Sequence, residues 1–168
     1  MEDRAFLLAS HGWVPNNPRL PVIVYRQAIS PDDGEKTAQA FEQAFKDHSW
    51  PPRWRDGIYD FHHYHSTAHE VLGVASGSAT LIIGGPGGEE IEVGAGDAIL
   101  LPVGTGHCAI WSSEDFLVVG AYPTSQDWDI CREAPSQSAW QRIVQLPFPD
   151  LDPVAGADGP LAKNWHAT

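Results

Sequence analysis

Four side chains in this sequence have the types and spacing to converge on a metal ion: His63, His65, Glu70 and His107. In an extended strand alternate residues share a face, so Tyr59, Phe61, His63 and His65 would point one way and Asp60, His62 and Tyr64 the other. Two imidazoles on one inward face, with a carboxylate returning on the next strand, suit a divalent transition metal that accepts nitrogen and oxygen ligands. Fe, Mn, Ni, Zn and Cu all fit that description. Five of the eight histidines, His62, His63, His65, His69 and His107, fall in two short stretches, a clustering that core packing does not require. Three neutral imidazoles and one carboxylate around a six-coordinate ion leave positions open for water or substrate, which is what catalysis at a metal needs.

The neighbours of these four divide by position. His62 faces away from His63 and His65 by strand parity, which favours a surface or supporting place for it. His69 precedes Glu70 in a turn and is a candidate for a supporting contact, a replacement ligand or a plain turn residue. Tyr59 and His69 are the two candidate catalytic side chains, Tyr59 because its phenol could reach a substrate beside the ion. Cys108 follows His107 and points to the opposite strand face, so its sulfur is not counted as a ligand.

The elements that must position these groups are short strands. From Gly57 to Tyr122, runs of apolar and β-branched residues alternate with turn signals, the mark of a sandwich or barrel. The expected strands are Ile58 to His65, Val71 to Ala75, Ser78 to Ile83, Glu90 to Val93, Ala98 to Leu101, His107 to Trp111 and Phe116 to Tyr122. The GGPGG run from Gly84 to Gly88 reads as a hairpin loop, because acidic Glu89, Glu90 and Glu92 follow it where a phosphate site would need a helix N-terminus. Upstream, Leu20 to Arg26 reads as a further strand, and Gly34 to Asp47 as a helix with Ala38, Phe41, Ala44 and Phe45 on its apolar stripe. Residues 1 to 19 read as an irregular arm, and His48 to Trp54 as a rigid aromatic connector. Past Tyr122 the β periodicity fades. A short helix is expected around Ser136 to Val144, then Pro-, Gly- and Asp-rich coil.

The spacing Gly57, His63, His65, Glu70, Gly77 resembles the first motif of the cupin superfamily, and Gly96, Pro102, Gly104, His107 resembles the second, with Trp111 where that motif often closes on Asn. The runs GWVPNNPRLPVIVYR, WRDGIYDFHHYHSTAHEVLG and FLVVGAYP further resemble the YjlB-type cupins. This resemblance implies an all-β fold with flanking helices: a double-stranded β-helix, or jelly-roll barrel. It also places the family's metal ligands on His63, His65, Glu70 and His107. One domain is expected, with an N-terminal arm, strand and helix over 1–56, the barrel core over 57–122 and a C-terminal extension over 123–168. The function so implied is a metal-dependent enzyme acting on a small molecule. Dioxygenase-type chemistry is favoured over isomerase or lyase chemistry, and the alternative is a non-catalytic metal- or small-ligand-binding module.

Composition narrows the partners. The chain of 168 residues carries 10 Lys plus Arg against 22 Asp plus Glu, a net charge of -12 that argues against nucleic acid or an anionic membrane. There is no apolar run of membrane-spanning length, and the N-terminus begins on acidic residues, so a cytoplasmic location is expected. Cys108 and Cys131, 23 residues apart, form no redox or zinc pair and are expected to be reduced thiols. An uncovered sheet edge near the N-terminal arm, and the cupin resemblance, point to a possible homodimer.

Overall fold

The computed structural model describes residues 1–167. In chain order it contains β1 (Glu2–Phe6), β2 (Val22–Arg26), α1 (Gly34–Asp47), β3 (Pro52–Asp56), β4 (Glu70–Ser76), β5 (Ser78–Ile83), β6 (Glu89–Gly94), β7 (Ala98–Leu101), β8 (His107–Ser112), β9 (Leu117–Ala121), α2 (Gln137–Gln145) and α3 (Pro160–Asn164). A six-stranded sheet runs β1-β2-β7-β4-β9-β3 and a three-stranded sheet runs β6-β5-β8, all pairs antiparallel. This is the jelly-roll arrangement with flanking helices that the cupin resemblance implied.

Strand parity divides the interior into two layers on either side of the large sheet. One face presents Val22, Val24, Leu72, Val74, Ile99, Leu101 and Val118 to Leu81, Ile83, Ile91 and Val93 of the small sheet. The other face presents Ile23, Tyr25, Val71, Ala75, Leu100, Val119 and Ala121 to Phe41 and Phe45 of α1, with Trp50, Leu161 and Trp165 closing the layer. The helix is fixed where its apolar stripe meets the sheet. Asp33 caps it by accepting from the Lys36 N–H at 2.9 Å, and Arg55 of β3 bridges to Glu35 and Glu42 on its outer side. Gly73 of β4 lies under Phe41; a Cβ there would stand 2.6 Å from the ring.

Four expectations from the sequence are corrected. The first residues are not wholly irregular: β1 pairs along all five of its residues with β2. Its charged sequence suits an edge strand whose outer side meets solvent. Part of the proline-rich connector is β3, which can begin on Pro52 because a strand's first residue need not donate, and which pairs with β9 through a bulge before Trp54. The segment from Ile58 to His65 is not a continuous strand. Tyr59 O accepts from Ala109 N–H at 2.9 Å, and His63 and His107 exchange backbone hydrogen bonds at 3.2 and 2.9 Å. Four residue steps thus oppose two, and 60–62 loop out of the ladder. Tyr64 then pairs with Cys131 instead. Finally, the C-terminal coil contains α3 and is tied down by buried Asp152, which accepts from Tyr25 Oη at 2.7 Å and from the N–H groups of Val154, Ala155 and Leu161 at 2.8 to 2.9 Å. Both cysteines are free thiols. Among the described residues no helix is long and apolar enough to cross a membrane.

Candidate metal centre

Parity in β4 decides where Glu70 points. It shares a face with Leu72 and Val74, so its carboxylate enters the layer between the sheets, while His69 goes the other way. His63 and His107 are brought together by their backbone pairing, with ring centroids 4.1 Å apart. His65, two residues beyond His63, lies 5.3 Å from the His107 ring. One ligand atom from each of the three buried histidines lies within 4.8 Å of the other two. The Glu70 carboxylate sits beside them, with Oε2 3.2 Å from His65 Nε2 and Oε1 3.2 Å from His107 Nε2.

The backbone fixes the direction of each ring. His63 Nδ1 lies 3.0 Å from the Phe61 carbonyl, His107 Nδ1 3.0 Å from the Thr105 carbonyl, and His65 Nδ1 contacts the Asp129 carbonyl. A carbonyl can only accept, so each Nδ1 carries its proton and each Nε2 turns a lone pair toward the others. The same outer contact orients histidines that hold metals. Asp129 is itself held in place by the backbone N–H and hydroxyl of Ser66.

Buried lone pairs aimed at one another repel unless something positive lies between them. Two of these atoms, His65 Nε2 and Glu70 Oε1, are buried without any hydrogen-bond partner, and a cation would satisfy both. The electrostatics show how strongly this corner draws positive charge, whether a proton or an ion. Burial, with His107 beside it, pushes His63 down to about 3. Burial also opposes charge on His65, but the Glu70 carboxylate more than offsets this and raises it. Burial would raise Glu70, yet His65 and His107 hold it well below the ordinary carboxylate range. The donor set of imidazole nitrogens and a carboxylate thus fits a divalent transition metal.

Above this floor is a cavity of about 350 Å³, lined by His63, His65, Glu70 and His107 at its base and by Trp54, Tyr122 and Trp128 along one wall. Trp54 lies against β9 because Gly120 has no side chain to displace its indole. Its Nε1–H donates to Tyr122 Oη at 2.9 Å, and Tyr122 Oη donates to Glu70 Oε2. The carboxylate therefore has Oε2 engaged by a phenol, while Oε1 makes no hydrogen bond and faces His107. Tyr122 in turn stacks on Trp128, with centroids 4.6 Å apart and planes 5° from parallel.

The structure sorts the remaining candidates. Tyr59 lines the cavity at its mouth, half exposed and stacked on Phe61. His62 lies outside the cluster, at the end of the looped-out residues 60–62 and not on the opposite face of a continuous strand. His69 does not line the cavity: Nδ1 accepts from the Val103 N–H at 2.9 Å, Nε2 faces the Leu146 carbonyl at 3.3 Å, and the ring packs near Trp165 and Phe148. Burial lowers it to about 4, so it is a neutral packing residue of the outer layer. Two wall residues were not singled out in the sequence, Trp54 and Tyr122, while the Gln126–Arg132 segment that supplies Trp128 reads from sequence as able to line the mouth or close the edge, with packing favoured. One signal for Tyr122 was available, since β9 parity puts it on the inward face with Val118.

The fold and the buried histidines together define a cupin. A family model for the cupin domain matches residues 51–119, and the chain belongs to the cupin family. Over 166 residues it is 34% identical to the uncharacterized protein YjlB of Bacillus subtilis (strain 168), an alignment that covers 98% of this chain and 97% of that protein.

Proposed function

We propose that this cupin is a metal-dependent enzyme acting on a small molecule, with a divalent transition metal held by His63, His65, Glu70 and His107. Dioxygen-dependent oxidation is favoured over isomerase or lyase chemistry. The observation that supports this reading is that three backbone-anchored imidazoles bring one ligand nitrogen each within 4.8 Å of one another, with the Glu70 carboxylate beside His65 and His107, at the floor of an open cavity. When bound, the ion would supply a Lewis acid and, for Fe, Mn, Ni or Cu, a redox-active centre with open coordination positions.

The chain's own residues do the rest. The Phe61, Thr105 and Asp129 carbonyls hold the imidazoles in one orientation, so little ordering is left for the binding event. Tyr122 holds Glu70 Oε2 and thereby presents Oε1 as a single donor. Trp54, Leu72 and Trp128 keep bulk water from the floor, and Tyr59 offers a phenol at the entrance. Unbridged cysteines suit a cytoplasmic protein, and the free edge of β1 offers a surface along which two copies could pair as a homodimer.

Elemental analysis of the purified protein beside His65→Ala and His107→Ala, each checked for folding, tests the proposal, together with dioxygen uptake by the loaded protein. The expected result is a near-stoichiometric redox metal that both variants lose, with dioxygen consumed when a substrate is supplied. Zinc in the same place would shift the reading to redox-neutral chemistry. A protein that binds none of Fe(II), Mn(II), Ni(II), Cu(II) or Zn(II) on reconstitution would sink it.

A further inference from the structure

The wall of the cavity carries information about what enters it. Apart from the floor, the cavity is bounded by the rings of Trp54, Tyr59, Tyr122 and Trp128 and by the aliphatic Ile58 and Leu72. Resting on the proposed metal centre only for the floor, we infer that the substrate is an uncharged, planar aromatic molecule of one or two rings, with one neutral oxygen or nitrogen donor directed at the histidines.

Three observations carry this. First, two of the wall's polar handles are spent on the protein, the Trp54 N–H on Tyr122 and the Tyr122 O–H on Glu70, which leaves Asp56, the Tyr59 hydroxyl and the Trp128 N–H as the wall's polar groups. A polyol or sugar would bring more hydroxyl groups than these can partner, which costs binding, whereas a flat ring meets π surfaces at favourable distances. Second, apart from an ion at the floor, the wall offers an anion no positive partner. Among the described residues the carboxylates of Asp56 and Glu70 line the cavity and no Lys or Arg does. Two guanidinium groups stacked on rings beside the cavity are already engaged, Arg53 over Trp128 at 5.0 Å and paired with Asp127, and Arg132 over Phe61 at 4.0 Å. The net charge of -12 adds long-range repulsion. Third, the wall is rigid and sized for rings. Trp54 is backed by β9 at Gly120 and Tyr122 by Trp128, and about 350 Å³ lies at the small end of ligand cavities, room for one or two rings.

Calorimetric titration with three probes of similar size tests the inference: 2-naphthol, 2-naphthalenesulfonate as a planar anion and poor metal ligand, and 2-decalol as the saturated counterpart. The titrations are run on metal-loaded protein and on protein stripped with a chelator. The expected result is saturable binding of 2-naphthol, with the sulfonate and the decalol each weaker by about tenfold or more. Trp54→Leu and Tyr59→Ala should each weaken 2-naphthol by about fivefold, and for Tyr59→Ala the loss should persist in protein stripped of metal. Tyr59 is half exposed, so its variant folds even if Trp54→Leu does not. Equal affinity for the sulfonate or the decalol, or no effect of Tyr59→Ala, would overturn the inference. A naphthol preference in protein that takes up no metal would sink the metal centre and leave the aromatic wall standing; metal uptake without that preference would do the reverse.

Discussion

His69 and Glu70 are adjacent in the chain, both fully buried, and separated by one strand face. On the helix side, His69 spends both ring nitrogens on the backbone and packs among aromatic rings, as a buried polar group in a filled core does. On the other side, Glu70 keeps one carboxylate oxygen engaged by Tyr122 and the other without a partner, facing imidazoles. The same sheet thus has one face finished by its own atoms and one end of the other face left incomplete. Burial alone does not distinguish a structural histidine from a functional one; the accounting of its two nitrogens does.

If that contrast is right, changes on the helix side should move stability and leave metal binding alone, and changes at the floor should do the opposite. The largest effect is expected from Phe41→Ala, which empties the space over Gly73 and should cost about 3–5 kcal/mol in denaturant unfolding with metal content unchanged. His65→Ala should weaken metal binding by more than about a hundredfold in a competitive chelator titration, with the circular dichroism spectrum of the fold retained. His69→Phe keeps the ring but strands the buried Val103 N–H, and should cost about 1–3 kcal/mol of stability without touching metal affinity; a loss of bound metal in this variant would erase the distinction. The smallest effect is expected from Tyr122→Phe, which frees Glu70 Oε2. Metal affinity should fall by about tenfold, and the electronic spectrum of a Co(II)-loaded protein should shift as the carboxylate changes how it binds.

What was legible in the sequence follows the same division. The positions of His63, His65, Glu70 and His107 could be read because a strand's period of two and the cupin spacing both operate within short stretches. The helix from Gly34 to Asp47 was legible from its apolar stripe, and the structure shows it with those bounds. The looped-out residues 60–62 were not, because parity counts residues along one strand and cannot see that its partner spends two where it spends four. Nor was the aromatic wall. Trp54, Tyr122 and Trp128 come from β3, the end of β9 and the extension after it, and nothing in any one segment signals that their rings will meet. β1 was hidden for a different reason: an edge strand can afford charged residues, and Glu-Asp-Arg carries no strand pattern.

Gly120 places a control behind the wall. A methyl group at that position would occupy the space now held by the Trp54 indole, and the ring would have to tip off β9 toward the histidines. Cavity depth is therefore set by a residue that no bound molecule would ever touch. A relative could narrow or widen its range of substrates by a single change on the sheet side of Trp54, with every side chain facing the ligand kept the same, and a comparison confined to cavity-lining residues would miss the reason.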